Sequence, residues 1–295
     1  MTTIEQIAGK FLGNNTRYET PNKHDASLLV KIPRHFNRDA GNIDSTLFVG
    51  FEVWHCYEFS YIKLNGMPAT GVLKVSYPAT SPYIVESKSL KLYTNSFDLE
   101  KFNNKSQVEN IIKTDLSNIL ETDVQVTLHT TNKTIHLKNI FNNKFDSIDN
   151  EDIKIESYNE DINLLLENPV NYNYPNTTIT FHTANLRSNC EITNQKDTGN
   201  CYIFMEGQRL PHIHSLTRYI ISMRESQHFH ENVTEIIYNS IMLGFRPNKL
   251  FVCNLYNRRG GIDIHSIRAS SDTLISEIMN EYSNTEILHE KTMQQ

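Results

Sequence analysis

Apolar and polar residues alternate along several stretches of the chain, and that two-residue period predicts strands. Between Thr46 and Ile62, Val49, Phe51 and Val53 fall on one face and Phe48, Gly50 and Glu52 on the other. Between Thr70 and Tyr77, Leu73, Val75 and Tyr77 alternate with Val72, Lys74 and Ser76. The period then changes. Leu90, Tyr93 and Phe97 have helical spacing behind Ser87 as a cap, and Val108, Ile111, Ile112, Leu116 and Ile119 form a longer apolar stripe. Ser106 and Glu109 form a capping box for that second helix. Alternation returns at Val124, Val126 and Leu128, and again at Ile135 and Leu137, with Thr131-Asn132-Lys133 as the turn. The second half repeats this order. Ile179 with Phe181, and Ile203 with Met205, predict two strands. Leu216, Tyr219, Ile220 and Met223 mark one helix; Val233, Ile236, Ile237 and Ile241 mark another, ending at Gly244 before Pro247. The segment LFVCNLYNRRGGIDI closes as a hairpin turning at Gly260-Gly261. Two strand-strand-helix-helix-strand-strand units make an α+β duplication.

The remaining stretches set the boundaries. Residues 1–45 are mostly irregular, Pro33 keeps Ile32 extended, and Arg34, His35 and Arg38 read as a solvated basic loop. Asp146, Asp149, Glu151, Asp152, Glu156, Glu160 and Asp161 make an acidic connection closed by Pro169 and Pro175. This predicts a first unit over 1–145, a connection over 146–175 and a second unit over 176–295. A chain of 295 residues with 14 Tyr and 14 Phe can bury sizeable cores. A net charge of −6 gives no global footprint for nucleic acid or anionic membrane. No window approaches a transmembrane helix, and the N-terminal residues lack the apolar core of a secretory signal. Cys56, Cys190, Cys201 and Cys253 form no CxxC pair, so reduced thiols in a soluble cytoplasmic protein are expected.

One cysteine stands apart. Cys190 lies in the polar, turn-prone run LRSNCEITNQKD, three residues after Arg187 and seven before Asp197. A thiol in a polar loop near a cation has its thiolate stabilised, and a nearby carboxyl group can move a proton. The run by itself leaves a reactive cysteine and an incidental loop thiol both open. Cys56, Cys201 and Cys253 sit in apolar strand patterns and read as packed. A helix start carrying Lys88 would combine amide groups, dipole and ammonium, which suits phosphate, with Glu86 as an exposed carboxylate beside it. An ordinary capped helix explains the same spacing. His212 and His214, and His228, His230 and Glu231, offer no complete ligand set at metal-binding spacing, so no metal is expected. Glu231 opens a helix, where the dipole favours a carboxylate. Arg258 and Arg259 before the double glycine suit either a charged hairpin tip or a phosphate clamp.

Taken together, ESKSLKLYTNSF, LRSNCEITNQKD and HFHE resemble the NADPH-dependent 7-cyano-7-deazaguanine reductases, the QueF nitrile reductases, in their two-module form. IPRHFNRD and YNRRGGIDI look like that form too, and the similarity runs through nearly the whole chain in the family's order. Asn232, Val233 and Thr234, after HFHE, depart from the run expected there. The resemblance implies tandem tunnelling-fold (T-fold) units, each an antiparallel four-stranded sheet with two helices, assembled as a homodimer. It implies reduction of a deazapurine nitrile to an amine with two NADPH per turnover, in queuosine biosynthesis, with no direct binding of nucleic acid or membrane. Cys190 would be the nucleophile that forms a thioimide and Asp197 the proton donor. Val85, Glu86, Ser87, His230 and Glu231 would bind the base, and Ser87, Lys88, Arg259 and Gly260 the cofactor. The rival readings are another T-fold enzyme of purine or pterin chemistry, cyclohydrolase-like, and a silent deazapurine-binding module. No GxGxxG run is present, which disfavours a Rossmann dehydrogenase.

Overall fold

The computed structural model describes residues 21, 23–130 and 137–291. Among these the chain forms seven α-helices and fourteen strands. The first part holds β1 (Lys31–Pro33), α1 (Arg34–Ala40), β2 (Val49–Lys63), β3 (Pro68–Pro78) and β4 (Tyr83–Val85). It continues with α2 (Ser87–Asn95), β5 (Lys101–Phe102), α3 (Lys105–Leu120), β6 (Gln125–Thr130) and β7 (Leu137–Lys138). Then come α4 (Ile162–Leu166), β8 (Val170–Asn171), β9 (Thr178–Asn189), β10 (Lys196–Glu206) and β11 (Arg209–Leu210). The last part holds α5 (Ile213–Ser222), α6 (His230–Phe245), β12 (Lys249–Tyr256), β13 (Ile262–Ala269), α7 (Asp272–Ile278) and β14 (Leu288–His289).

The long strands join in one sheet of order β6-β3-β2-β13-β12-β10-β9, antiparallel at every step, with short β5 parallel to β2. An α+β fold of antiparallel sheet and helices is therefore observed. The two halves of the sequence meet where β2 pairs with β13, with Trp54 opposite Ile264 and His55 opposite Asp263.

Alternation sorts the sheet's two faces. On the helix-bearing face, Trp54, Leu73 and Val75 pack with Leu90, Val108, Ile112 and Leu116. On the same face of the other half, Phe181, Ile203 and Val252 pack with Leu216, Ile220, Val233 and Ile237. Each such fully buried aliphatic side chain contributes about 1.5–3 kcal/mol. The opposite face carries Val53, Phe251, Cys253 and Ile267, covered by Phe141 and by Leu274, Ile275 and Ile278 of α7.

Several expectations change against this frame. The second half shows its four strands and two helices in the predicted order. In the first half the Thr131-Asn132-Lys133 turn and Ile135 lie outside the described residues, and Leu137 does not join β6. It pairs in parallel with Leu288, and the Glu290 amide donates to the Lys138 carbonyl at 2.9 Å, so the C-terminal segment claims it. The cap of α3 is Asn104, whose side chain accepts from the Gln107 amide; Glu109 instead takes the Leu128 amide at 2.7 Å. α6 does not stop at Gly244. It runs to Phe245 and ends at Arg246 in left-handed conformation, while a Cβ on Gly244 would lie 2.8 Å from Leu166. The acidic stretch is anchored rather than free: Asp149 accepts from the Ala184 amide and the Asn185 side chain, and Glu160 pairs with His228. Asn232 accepts from Asn37, and Thr234 links His230 to Asn254, so the departure after HFHE is accommodated by polar pairing.

Candidate active site

The residues singled out by the sequence are scattered over 175 positions of chain, and the fold brings them to one cavity. Val85, Glu86, Ser87, Lys88, Cys190, Asp197, His230, Glu231, Arg259 and Gly260 all line a space of about 340 Å³. It opens on the helix-bearing side of the β2–β13 junction, where Trp54, Ile262 and Ile264 contribute its apolar wall.

Cys190 sits at the tip of the β9–β10 hairpin. Its amide donates to the Gln195 carbonyl at 2.7 Å, and Asn194 turns the chain in left-handed conformation. The thiol is half-buried, in no disulfide and beside the Arg259 guanidinium, whereas Cys56, Cys201 and Cys253 are buried as expected of packed residues. Asp197 follows on β10 and is held from two sides. Arg259 Nη1 donates to its Oδ1 at 2.6 Å and His230 Nε2 lies 3.2 Å from Oδ2. Burial works to raise the Asp197 pKa, but His230 and Arg259 outweigh it and hold the carboxyl below its usual value. Asp197 is therefore a carboxylate at rest, with no proton of its own to donate.

His230 begins α6 and lies flat on Tyr256, with ring centroids 3.9 Å apart at 13°. Glu231, next in the helix, is only 3% exposed and its Oε1 has no hydrogen-bond partner. Burial, then the nearby Glu52 carboxylate, push its pKa well above the usual carboxylate range; His230 and Arg34 only partly offset this.

Glu86 differs from expectation. It is not an exposed carboxylate but the N-cap of α2, with Oε1 accepting from the Lys88 amide at 2.8 Å and Oε2 from the Ser89 amide at 2.6 Å. Ser87 is the first helical residue rather than the cap. Burial raises the Glu86 pKa while those amides lower it. The two helix-start amides are thus taken by Glu86, and only the Lys88 ammonium and Ser87 remain for an anion. Gly260 and Gly261 turn the β12–β13 hairpin, both with positive φ, which suits a two-residue turn. A side chain at Gly260 would meet nothing within 4 Å, so the backbone there is open beside Arg259.

A charged network that the sequence does not display lies behind Glu231. Arg34 is buried in α1 rather than solvated, 2.9 Å from Glu52, and Arg38 reaches Glu235 at 2.7 Å. Arg268 joins both carboxylates, at 2.6 Å to Glu52 and 2.8 Å to Glu235. Each breaks an apolar alternation with a charge, Glu52 on β2 and Arg268 on β13. Their register, Arg268 opposite Gly50 and Ser266 opposite Glu52, is a tertiary fact no local pattern contains. Trp54, Gln195 and Phe229 also line the cavity without having been singled out.

Fold and site together describe an α+β enzyme with a thiol, a paired carboxylate and an unpaired buried glutamate in one cleft. A family model described as nitrile reductase, 7-cyano-7-deazaguanine-reductase N-term, matches residues 20–128, and one described as QueF-like protein matches residues 202–274. The two matches take in more than half of the chain, and the chain belongs to the 7-cyano-7-deazaguanine nitrile reductase family. It is an oxidoreductase that reduces the nitrile of 7-cyano-7-deazaguanine, in queuosine biosynthesis. No helix among the described residues is long and apolar enough to cross a membrane.

Proposed function

We propose that Cys190 attacks the nitrile carbon and that NADPH reduces the resulting covalent thioimide, two NADPH being used per turnover. The observation that supports this reading is the convergence of Cys190, Asp197, His230 and Glu231 on one cavity. A nitrile carbon accepts hydride poorly, and thiol addition converts it to a C=N that accepts hydride like an imine. Because Asp197 is ionised at rest, its first act is to take the Cys190 proton as the S–C bond forms. It then passes that proton to the nitrile nitrogen, so thiol and nitrile give a thioimide with no net gain or loss of protons. Asp197 thus acts as a proton relay in this reading. His230 and Arg259 keep the relay oriented.

The base edge of the substrate presents adjacent N–H donors, and Glu231 has an unused oxygen to accept them. Glu86 already accepts two amides, but each carboxylate oxygen has a second lone pair for the ligand. Val85, Ser87 and His230 complete the base site in this reading. For the cofactor, Lys88, Arg259 and the open backbone at Gly260 form a cationic rim that fits a phosphorylated dinucleotide, with Ser87 beside it. NADPH supplies hydride when bound there, and the rim favours the 2′-phosphate over NADH. The same reading takes the two halves as tandem T-fold units and the active form as a cytoplasmic homodimer, which light scattering on the purified chain tests.

The deciding experiment mixes the protein with 7-cyano-7-deazaguanine and no NADPH, then records intact mass. A gain of one substrate mass, absent in Cys190→Ala although that variant still binds the base, is the expected result. Binding without an adduct would overturn the covalent mechanism.

A further inference from the structure

On the face of the sheet turned away from this cavity, three histidines from distant parts of the chain stand together. His55 lies on β2, His265 on β13 and His289 on β14, and all are buried. Their ligand-capable ring nitrogens lie within 4.8 Å of one another. Ring centroids are 5.5, 5.2 and 4.9 Å apart for the three pairs. The register explains the meeting: His55 is opposite Asp263 and His265 is opposite Val53, so all four side chains share one face. His289 arrives from the C-terminal segment, which Lys74 holds by donating to the Tyr282, Asn284 and Ile287 carbonyls at 3.0, 2.7 and 2.6 Å.

The polar accounting of this cluster does not close. His55 Nε2 and both nitrogens of His289 are buried without a hydrogen-bond partner, and so is His265 Nδ1. His265 Nε2 lies 3.3 Å from Asp263 Oδ1 but without hydrogen-bond alignment. The Tyr282 hydroxyl beside them is unpartnered too. An unsatisfied buried polar atom costs about 1–3 kcal/mol, so four or more in one apolar layer call for a shared partner.

We propose that His55, His265 and His289 form a buried structural site for one divalent transition-metal ion of zinc's class. The donor set fits. Three imidazoles without thiolate or ligating carboxylate suit a borderline ion such as Zn²⁺ or Co²⁺, with water or Tyr282 at the fourth position. His55 donates Nδ1–H to Asp263 Oδ1 at 2.7 Å, which leaves Nε2 as the ligand atom and reproduces a carboxylate–histidine–metal arrangement. The Asp263 Oδ1 that faces both His55 and His265 also places an anion beside the cation, while Oδ2 accepts from Tyr57 and Lys291. Bonds of about 2.0–2.1 Å require the rings to close in by roughly an ångström. The ion would staple β2, β13 and the C-terminal segment together, on the face opposite the chemistry. The sequence hides this site because positions 55, 265 and 289 share no spacing.

The test uses full-length protein made without a histidine tag. Elemental analysis is expected to find about one zinc per chain, and Co²⁺ added to metal-depleted protein should give the visible band of a tetrahedral ion, saturating at one equivalent. His289→Gln should abolish that band, and Asp263→Asn should weaken Co²⁺ binding roughly 10- to 100-fold. A wild-type band in His289→Gln, or no band at all in the parent, would mean a packed or hydrated histidine cluster and would overturn the proposal. Should His289→Gln fail to fold, X-ray absorption of the zinc-loaded parent decides: three imidazole shells support the site, and their absence rejects it.

Discussion

Glu86 and Glu231 both stand at the start of a helix, both are buried, and both face the same cavity, yet their oxygens are used differently. Glu86 gives one oxygen to the Lys88 amide and the other to the Ser89 amide, so it serves its own helix before it serves any ligand. Glu231 is the second residue of its helix, has an unpartnered oxygen, and sits near Glu52. Asp197, a third carboxyl in the same space, is pushed the other way by His230 and Arg259. Carboxyl groups whose environments drive their pKa values apart in one cleft are divided by role. The contrast teaches that placement in a cavity does not assign a role; the supply of hydrogen-bond partners does.

The sharpest test of the contrast is Asp197→Asn, which keeps the shape and removes the proton acceptor. Turnover and the rate of adduct formation are both expected to fall by about 10²–10⁴-fold. An unchanged adduct rate would show that the paired carboxylate only positions Arg259 and His230. Next is Glu231→Gln, expected to weaken binding of the base by about 1.5–3 kcal/mol, roughly 10- to 150-fold, while NADPH affinity holds. Equal losses for both ligands, measured by calorimetry, would make Glu231 no more ligand-directed than Glu86.

The same variant has an opposite effect on stability. Burial places the folded pKa of Glu231 at about 7, above its ordinary value of 4.5, so the folded chain holds that proton more tightly. Its folded state is penalised progressively as pH rises from about 4.5 towards 7, and the penalty is fully present above 7. Glu231→Gln should therefore be more stable than the parent by about 1–3 kcal/mol at pH 8, and the gain should fade towards pH 4.5. Binding of the base to the parent should release a proton below about pH 7 and none well above it. Heats measured in buffers of different ionisation enthalpy check this, and no release at pH 6 would contradict the raised pKa. The smallest effect is expected at Glu86→Ala, a loss of about 0.5–2 kcal/mol of folding stability from the uncapped helix. A variant as stable as the parent in urea melts would show that the cap contributes nothing.

Local pattern made much of this molecule legible. The strands around Val53 and Leu73, the stripe on α3, the Gly260-Gly261 hairpin and the polar setting of Cys190 follow from periods of two and 3.6 and from turn chemistry. These depend on neighbours within a few residues, which the sequence displays directly. What the tertiary structure alone decided depends on partners far along the chain. Arg34 became buried because Glu52 and Glu235 meet it across the sheet and α6. Asp197 stays a carboxylate despite its burial because α6 and the β12–β13 hairpin bring His230 and Arg259 to it. Leu137 left its expected sheet for Leu288, and histidines from positions 55, 265 and 289 came within touching distance of one another. Periodicity specifies which face of an element is buried; only long-range register and burial specify what charge and what hydrogen-bond partners that face will find.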